Sequence, residues 1–484
     1  MPAIPLAELL HLLVAAVVIL RILSRRNPPG IAQAWILLVV LLPAVGVVLY
    51  FMIGERRLGR RWIERAERGR PALRRRFAEV IGAAGIERGI HADQSGAAAE
   101  SVSKLVQSLT GLPPMRGHRV QLIDDGERFL HALIEDIESA RQSCQLEFYI
   151  WSAGGLADGV VDALVRAVQR GVQVQVLMDG LGSRPFTRTP QYRRLRDAGI
   201  DVEVVLPVGA LRLIVARADL RDHRKIAVID DRIAYTGSCN LADPMLFKRD
   251  AGLGQWVDAM IRIEGPVAAL LAEISSAMAE LQHGRPRERS AQVVPAETAS
   301  AGTVALQIFP SGPGFAFQDI EPVLLAAIYA ARVEIVLTTP YFVPGEPLVT
   351  ALCSAAARGV AVHLVVPRRN DSRLAQHASA SYFEDLMAAG ATIHRFPGGL
   401  LHTKSMVIDG QLSMMGSVNL DLRSFKLNFE LSVLVYDRPF SGRLRTLQQS
   451  YMMVSERLHL PSWRRRPAWR RMLENAAQLA SPLL

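Results

Sequence analysis

His223-Arg-Lys-Ile-Ala-Val-Ile-Asp230 and His402-Thr-Lys-Ser-Met-Val-Ile-Asp409 follow one pattern, His-x-Lys-x-x-x-x-Asp. Each is followed by a matching tail, Gly237-Ser238-Cys239-Asn240 and Gly416-Ser417-Val418-Asn419. The apolar, β-branched run between Lys and Asp predicts a strand, on which residues i and i+2 share a face. His223 then projects with Lys225, and His402 with Lys404. An imidazole beside an ammonium suits a phosphate that must be both held and attacked. Asp230 and Asp409, counted with the catalytic motif, sit at an odd offset and are expected to brace the strand end or turn without touching substrate directly. Asn240 and Asn419, each after a Gly-Ser turn, can offer an amide donor to a phosphoryl oxygen.

Outward from the motifs, the chain repeats itself. Phe129 to Trp151 answers to Val323 to Pro344, Gly171 to Asp179 to Gly359 to Pro367, and Tyr192 to Val205 to Tyr382 to Phe396. Each copy alternates helical patterns with Val- and Ile-rich strands, which predicts two α/β lobes, residues 118–283 and 304–484, with a Pro-, Ala- and Ser-rich linker at 284–303. A period this long means duplicated domains and not a solenoid. The lobes are expected to pair across a pseudo-two-fold axis with the motifs meeting at the seam. The first copy carries extra residues before its histidine, around 206–222, where Leu211-Arg-Leu-Ile-Val-Ala216 reads as a strand or a lipid-facing lip.

Histidine serves at neutral pH as nucleophile or as proton donor. Two histidines from two copies can divide the work, one attacking phosphorus and the other protonating the leaving alcohol. The lysines neutralise phosphoryl charge, so no metal or other cofactor is expected, and the histidines have no third ligand at zinc spacing. Three scattered cysteines suit neither a disulfide framework nor a zinc site.

At the N-terminus, Ile31 to Ile53 is free of charge and long enough to cross a bilayer, with Pro43 and Gly46 as places where membrane helices tolerate a kink. Leu6 to Leu23 reads as a weaker first crossing, so residues 1–55 are expected to form a transmembrane helical hairpin, followed by a basic helical connector at 56–117. Residues 1–8 carry no Lys or Arg, which argues against a cleavable signal peptide. Only two arginines lie in the hairpin loop and more follow residue 55, which places the large C-terminal body in the cytoplasm.

The net charge of +10 is localised. Residues 55–76 hold ten arginines against three glutamates, and residues 463–471 hold five arginines and no acid, leaving the remainder slightly negative. A nucleic-acid partner would call for a basic working domain. Arginines beside apolar stretches instead suit an anionic phospholipid membrane. Trp463-Arg-Arg-Arg-Pro-Ala-Trp469-Arg-Arg471 mixes indoles with arginines as interfacial segments do.

With its duplicated His-x-Lys motif and Gly-Ser-x-Asn tails, the chain resembles the phospholipase D superfamily. The N-terminal hydrophobic hairpin, Thr339-Pro340-Tyr341-Phe342-Val343-Pro344, Trp256-Val257-Asp258 and the ending Ser481-Pro482-Leu483-Leu484 make it similar to the bacterial cardiolipin synthases. The resemblance implies an inner-membrane phosphatidyl transferase that makes cardiolipin and glycerol from two phosphatidylglycerol molecules through a phosphohistidine. It implies His223 as nucleophile and His402 as acid/base. By position it assigns Glu430 to orient His402 and Asp258 to orient His223, with Ser238, Asn240, Ser417 and Asn419 binding phosphate or orienting the site. The Trp-Arg-Asp common in similar proteins is Trp-Val-Asp here. A phospholipase D using water as acceptor, or a membrane-tethered nuclease, would share these residues. A non-catalytic lipid-binding scaffold is disfavoured by two intact motif copies.

Overall fold

Short apolar runs bounded by Gly turns become strands in the computed structural model, which describes residues 6–25, 29–54, 60–82, 87–90, 92–207, 220–249, 252–284, 302–313 and 319–479. Most of the expected linker, the Leu211–Ala216 insert and the C-terminal Ser481–Leu484 lie outside the described residues. The chain divides into two units, residues 1–64 with 208–220 and residues 65–207 with 221–484.

In the first unit, helices span Leu6–Leu23, Pro29–Leu41 and Pro43–Leu49, followed by a π-turn at Tyr50–Gly54. Ala15, Val18, Ile22, Val39 and Tyr50 bury one another, with Trp35 edge-on to Tyr50. The stretch read as one crossing from Ile31 to Ile53 is interrupted at Leu42, where φ is −126° and ψ is 77°. Pro43 is the cause, because its ring disfavours helical backbone in the residue before it. Among the described residues no helix is long and apolar enough to cross a membrane.

The second unit is built on one fifteen-stranded sheet and two small two-stranded ones. The first copy supplies β1 (Met115–Ile123), β2 (Ser143–Phe148), β3 (Gln173–Asp179), β4 (Asp201–Val205), β5 (Lys225–Ile229), β6 (Ile233–Gly237), β7 (Trp256–Val257) and β8 (Met260–Glu264). The second supplies β9 (Val304–Ser311), β10 (Glu334–Thr338), β11 (Phe342–Val343), β12 (Ala361–Pro367), β13 (Thr392–Phe396), β14 (Leu400–Leu401), β15 (Ser405–Ile408), β16 (Leu412–Gly416), β17 (Leu420–Asp421), β18 (Glu430–Val435) and β19 (Glu456–Arg457).

The small sheets are β7 with β14 and β11 with β17. The large sheet runs β19-β13-β12-β10-β15-β16-β18-β9-β1-β8-β6-β5-β2-β3-β4. Apart from the terminal β19 it mirrors about its middle, where equivalent strands β1 and β9 pair antiparallel. A self-complementary contact of this kind is what a two-fold relation produces. Within each half the sheet is mixed: β2-β3-β4 and β10-β12-β13 are parallel, and the motif strands β5 and β15 are antiparallel to their neighbours.

Apolar residues of both halves share one core. Val228, Ala234 and Ile263 of the first lobe cluster with Val407, Met415 and Val433 of the second and with the buried helix Val267–His283. Strands β5 and β6 thus share one core with β15 and β16. His118 pins the seam from β1. Its Nδ1 lies 3.1 Å from the Val304 carbonyl, and its Nε2 accepts from the Val267 amide at 3.1 Å. Burial pushes its pKa down to about 4, so it stays neutral.

Candidate active site

The two motifs open with the same local geometry. Lys225 Nζ donates back to the His223 carbonyl at 2.6 Å, and Lys404 Nζ to the His402 carbonyl at 2.7 Å. Each ammonium is thereby fixed beside its imidazole. Both histidines and both lysines are buried. At the far end of each strand the aspartate sits at φ 51° and ties down backbone. Asp230 accepts from the amides of Arg141, Gln142 and Ser143, and Asp409 from those of Arg332, Val333 and Glu334. These aspartates brace the turn, as their odd offset implied, and the name catalytic does not describe their contacts.

The orienting acids are exchanged relative to expectation. Nδ1 of His223 lies 3.0 Å from Oε2 of Glu430, and Nδ1 of His402 lies 2.6 Å from Oδ1 of Asp258. Glu430 therefore serves His223 and Asp258 serves His402, each reaching across from the other lobe. The cause is a pair of parallel bridges between lobes. Asp222 bridges Phe429, and β14 pairs with β7 through Leu400↔Trp256 and Leu401↔Val257. The His223 amide then donates to the Phe429 carbonyl at 2.9 Å, and the His402 amide to the Val257 carbonyl at 2.8 Å. Since the acid follows that carbonyl directly in sequence, it faces the other lobe's histidine.

The serines of the two tails hold the acids. Ser417 Oγ donates to Glu430 Oε2 and accepts from the Leu431 amide at 2.9 Å. Ser238 Oγ accepts from the Ala259 amide at 3.0 Å, beside Asp258. Asn240 Oδ1 accepts from the Ile150 amide at 3.3 Å, and the Asn419 amide donates to Ser424 Oγ at 3.3 Å. Both asparagines are buried beside the motif strands.

Electrostatics tie the four basic groups into one site. Burial, then Lys404, pushes His402 down to about 4. Burial also lowers His223 against the pull of Glu430, with both lysines adding to the fall. Burial drops Lys225 to about 8 and Lys404 to about 7, and Lys225 adds to the depression of Lys404. Burial opposes ionisation of Asp258, but His402 and Lys404 outweigh it and hold the carboxyl at about 2. Glu430 is likewise lowered despite burial, by His223 and Lys225. Each carboxylate fixes Nδ1–H as donor and leaves Nε2 with the lone pair. Two neutral imidazoles beside two cations form a site ready for an anionic phosphodiester.

Residues 133–269 and 324–451 each match the family described as cardiolipin synthase, PLD-like domain, one match to a lobe. Residues 12–55 match the phospholipase D-nuclease N-terminal family. Cardiolipin synthase A of Edwardsiella ictaluri (strain 93-146) is 42% identical over 475 residues, covering 98% of this chain and 96% of that one. The Citrobacter koseri cardiolipin synthase A is 42% identical over 470 residues, covering 96% of both chains. The chain belongs to the cardiolipin synthase family. The fold is also similar to that of phosphatidylserine synthase from Haemophilus influenzae Rd KW20, with a TM-score of 0.56 at 15% identity over 79% of this chain and 99% of that one.

In this cardiolipin synthase family member, aromatic rings cover both imidazoles. Tyr149 packs on His223 with ring centroids 4.9 Å apart, and Trp256 on His402 at 4.5 Å. Lys225 Nζ lies 5.4 Å from the Tyr149 centroid. Motif reading passed over Tyr149; its position one residue past β2, in the aromatic cluster Phe148-Tyr149-Ile150-Trp151, is the signal that marks it.

Proposed function

We propose that the protein joins two phosphatidylglycerol molecules into cardiolipin and releases glycerol. His223 Nε2 attacks the phosphorus of the first lipid, and the bond from phosphorus to the headgroup glycerol oxygen breaks. His402, protonated once the anionic lipid is bound, gives its proton to the departing glycerol. The headgroup hydroxyl of the second lipid then returns a proton to His402 and bonds to phosphorus as the P–N bond breaks. Lys225 and Lys404 neutralise the phosphoryl oxygens, and Glu430 and Asp258 stabilise each imidazolium in turn. The observation that carries this reading is the pair of imidazoles, each held by a carboxylate from the opposite lobe, in a chain alike over its whole length to cardiolipin synthases.

A bacterial inner-membrane setting, with the N-terminal hairpin crossing the bilayer and the body cytoplasmic, belongs to the same proposal. It is supported by the apolar outer faces of the first unit, where Leu13, Val17, Leu20, Leu37, Leu41, Val45 and Val48 are exposed. The C-terminal basic segment divides. Trp463 is buried, with the Arg466 guanidinium 3.7 Å from its ring centroid, and Arg464 and Arg466 pair with Glu384 and Glu474. The helix Ala468–Leu479 instead exposes Trp469, Met472 and Leu473 along one side, an apolar stripe fit to lie on a lipid surface.

Labelled phosphatidylglycerol in vesicles tests the reaction with wild type, His223→Ala and His402→Ala. Cardiolipin and glycerol from wild type, turnover lost in both variants, and phosphoenzyme absent from His223→Ala support the proposal. Phosphatidic acid as the main product makes the protein a hydrolase.

A further inference from the structure

Lys248 is one of five lysines in the chain, and the motifs do not use it. It lies in the first lobe, yet its Nζ pairs with Asp371 Oδ2 of the second lobe at 3.3 Å, while its side chain remains 42% exposed. Tyr341 Oη holds the other oxygen of Asp371 at 2.6 Å, and Asn370 Nδ2 holds the Pro340 carbonyl at 2.7 Å. The anchor for Lys248 is therefore itself fixed. Lys248 Nζ also lies 5.0 Å from the Trp256 ring centroid and 5.6 Å from that of Phe247. Trp256 in turn packs on His402. The ammonium thus stands one indole away from the acid/base imidazole.

We propose that Lys248 binds the phosphodiester of the acceptor lipid. The inference rests on the function proposed above and adds what selects the second substrate. In that reaction the acceptor hydroxyl must meet His402 Nε2, while the acceptor carries its own negative phosphate a three-carbon bridge away. Lys225 and Lys404 are engaged by the donor's phosphoryl oxygens, so the second negative charge needs a cation of its own beside His402. Lys248 meets each demand. It is next to the His402 ring stack, it is partly exposed, and its ion pair with Asp371 is a surface pair that an incoming phosphate can replace at small cost. The aromatic faces of Trp256 and Phe247 keep the ammonium in place when it leaves the carboxylate. Water and neutral alcohols make no use of this contact, so it favours a phospholipid acceptor over hydrolysis.

The test compares full-length wild type, Lys248→Gln and Lys248→Arg in vesicles of phosphatidylglycerol. Two rates are measured: cardiolipin formation, and exchange of labelled glycerol into phosphatidylglycerol, which uses a neutral acceptor. In Lys248→Gln the ratio of cardiolipin formation to exchange falls roughly tenfold, the factor for losing one charged contact. Phosphatidic acid rises, and Lys248→Arg restores most of the ratio. An unchanged ratio, or an equal fall in both rates, overturns the role of Lys248. Failure of the underlying function is distinct, because wild type itself would then form no cardiolipin.

Discussion

Oδ1 of Asp258, in the first lobe, lies 2.6 Å from Nδ1 of His402, in the second, and Glu430 returns the same contact to His223 at 3.0 Å. Removing either charge acts on the other lobe's histidine. Asp258→Asn is expected to lower cardiolipin formation by about 10²–10⁴-fold while a phosphoenzyme can still be trapped, formed and consumed slowly, because it weakens the acid/base His402 in both half-reactions and leaves the nucleophile intact. Glu430→Gln is expected to lower it similarly with no phosphoenzyme. Acid-quench trapping reads the difference, and the reverse pattern would exchange the two histidine roles.

The lysines predict a pH dependence. Their pKa values are lowered, to about 8 for Lys225 and about 7 for Lys404, so both lose positive charge as pH rises through that range. The unliganded enzyme then binds the anionic headgroup less well, and kcat/KM for phosphatidylglycerol should fall above about pH 7. Bound phosphate raises both values, so the alkaline fall in kcat should lie at higher pH. A flat kcat/KM between pH 6 and 9 would sink the role given to the lysines.

Asp230 and Asp409 predict a stability effect in place of a chemical one. Each satisfies three backbone amides. Asp230→Ala should destabilise the fold by about 2 kcal/mol or more through orphaned donors. At a temperature where the variant remains folded, the shape of its pH–rate profile should match wild type. Chemical denaturation and the profile are the two measurements, and a changed profile would return Asp230 to the chemistry.

His118 makes the seam sensitive to acid. Its folded pKa is depressed to about 4, while the unfolded value is about 6.5. The unfolded chain therefore binds more protons between these values. Stability is intact above pH 6.5 and falls as pH drops toward 4, by at most roughly 3 kcal/mol from this group. The fall in thermal midpoint between pH 7 and 4.5 should be smaller in His118→Gln.

Trp469 should report the lipid surface. In proteoliposomes, brominated phospholipids should quench part of the tryptophan fluorescence of wild type, and Trp469→Phe should remove that part. Equal fractional quenching in both would detach the helix Ala468–Leu479 from the bilayer.

Much of the site was legible because it is local. His223 and Lys225, His402 and Lys404, their strands and the bracing aspartates follow from spacing within a few residues. The repeat exposed the two halves because buried strands keep their Val and Ile pattern. The owner of each orienting acid was not legible, since it depends on the Asp222–Phe429 bridge and the β7–β14 pair, contacts between residues far apart in sequence. For the same reason Arg464, read as part of an interfacial segment, gave no sign of its pairing with Glu384, 80 residues away. The charge-free stretch Ile31–Ile53 is not one helix, because Pro43 divides it into Pro29–Leu41 and Pro43–Leu49.

The antiparallel union of β1 with β9, together with the traded carboxylates, makes the halves chemically inseparable. A gene for one half alone would encode something active only as a symmetric pair. Damage to either half therefore disarms the histidine of the other.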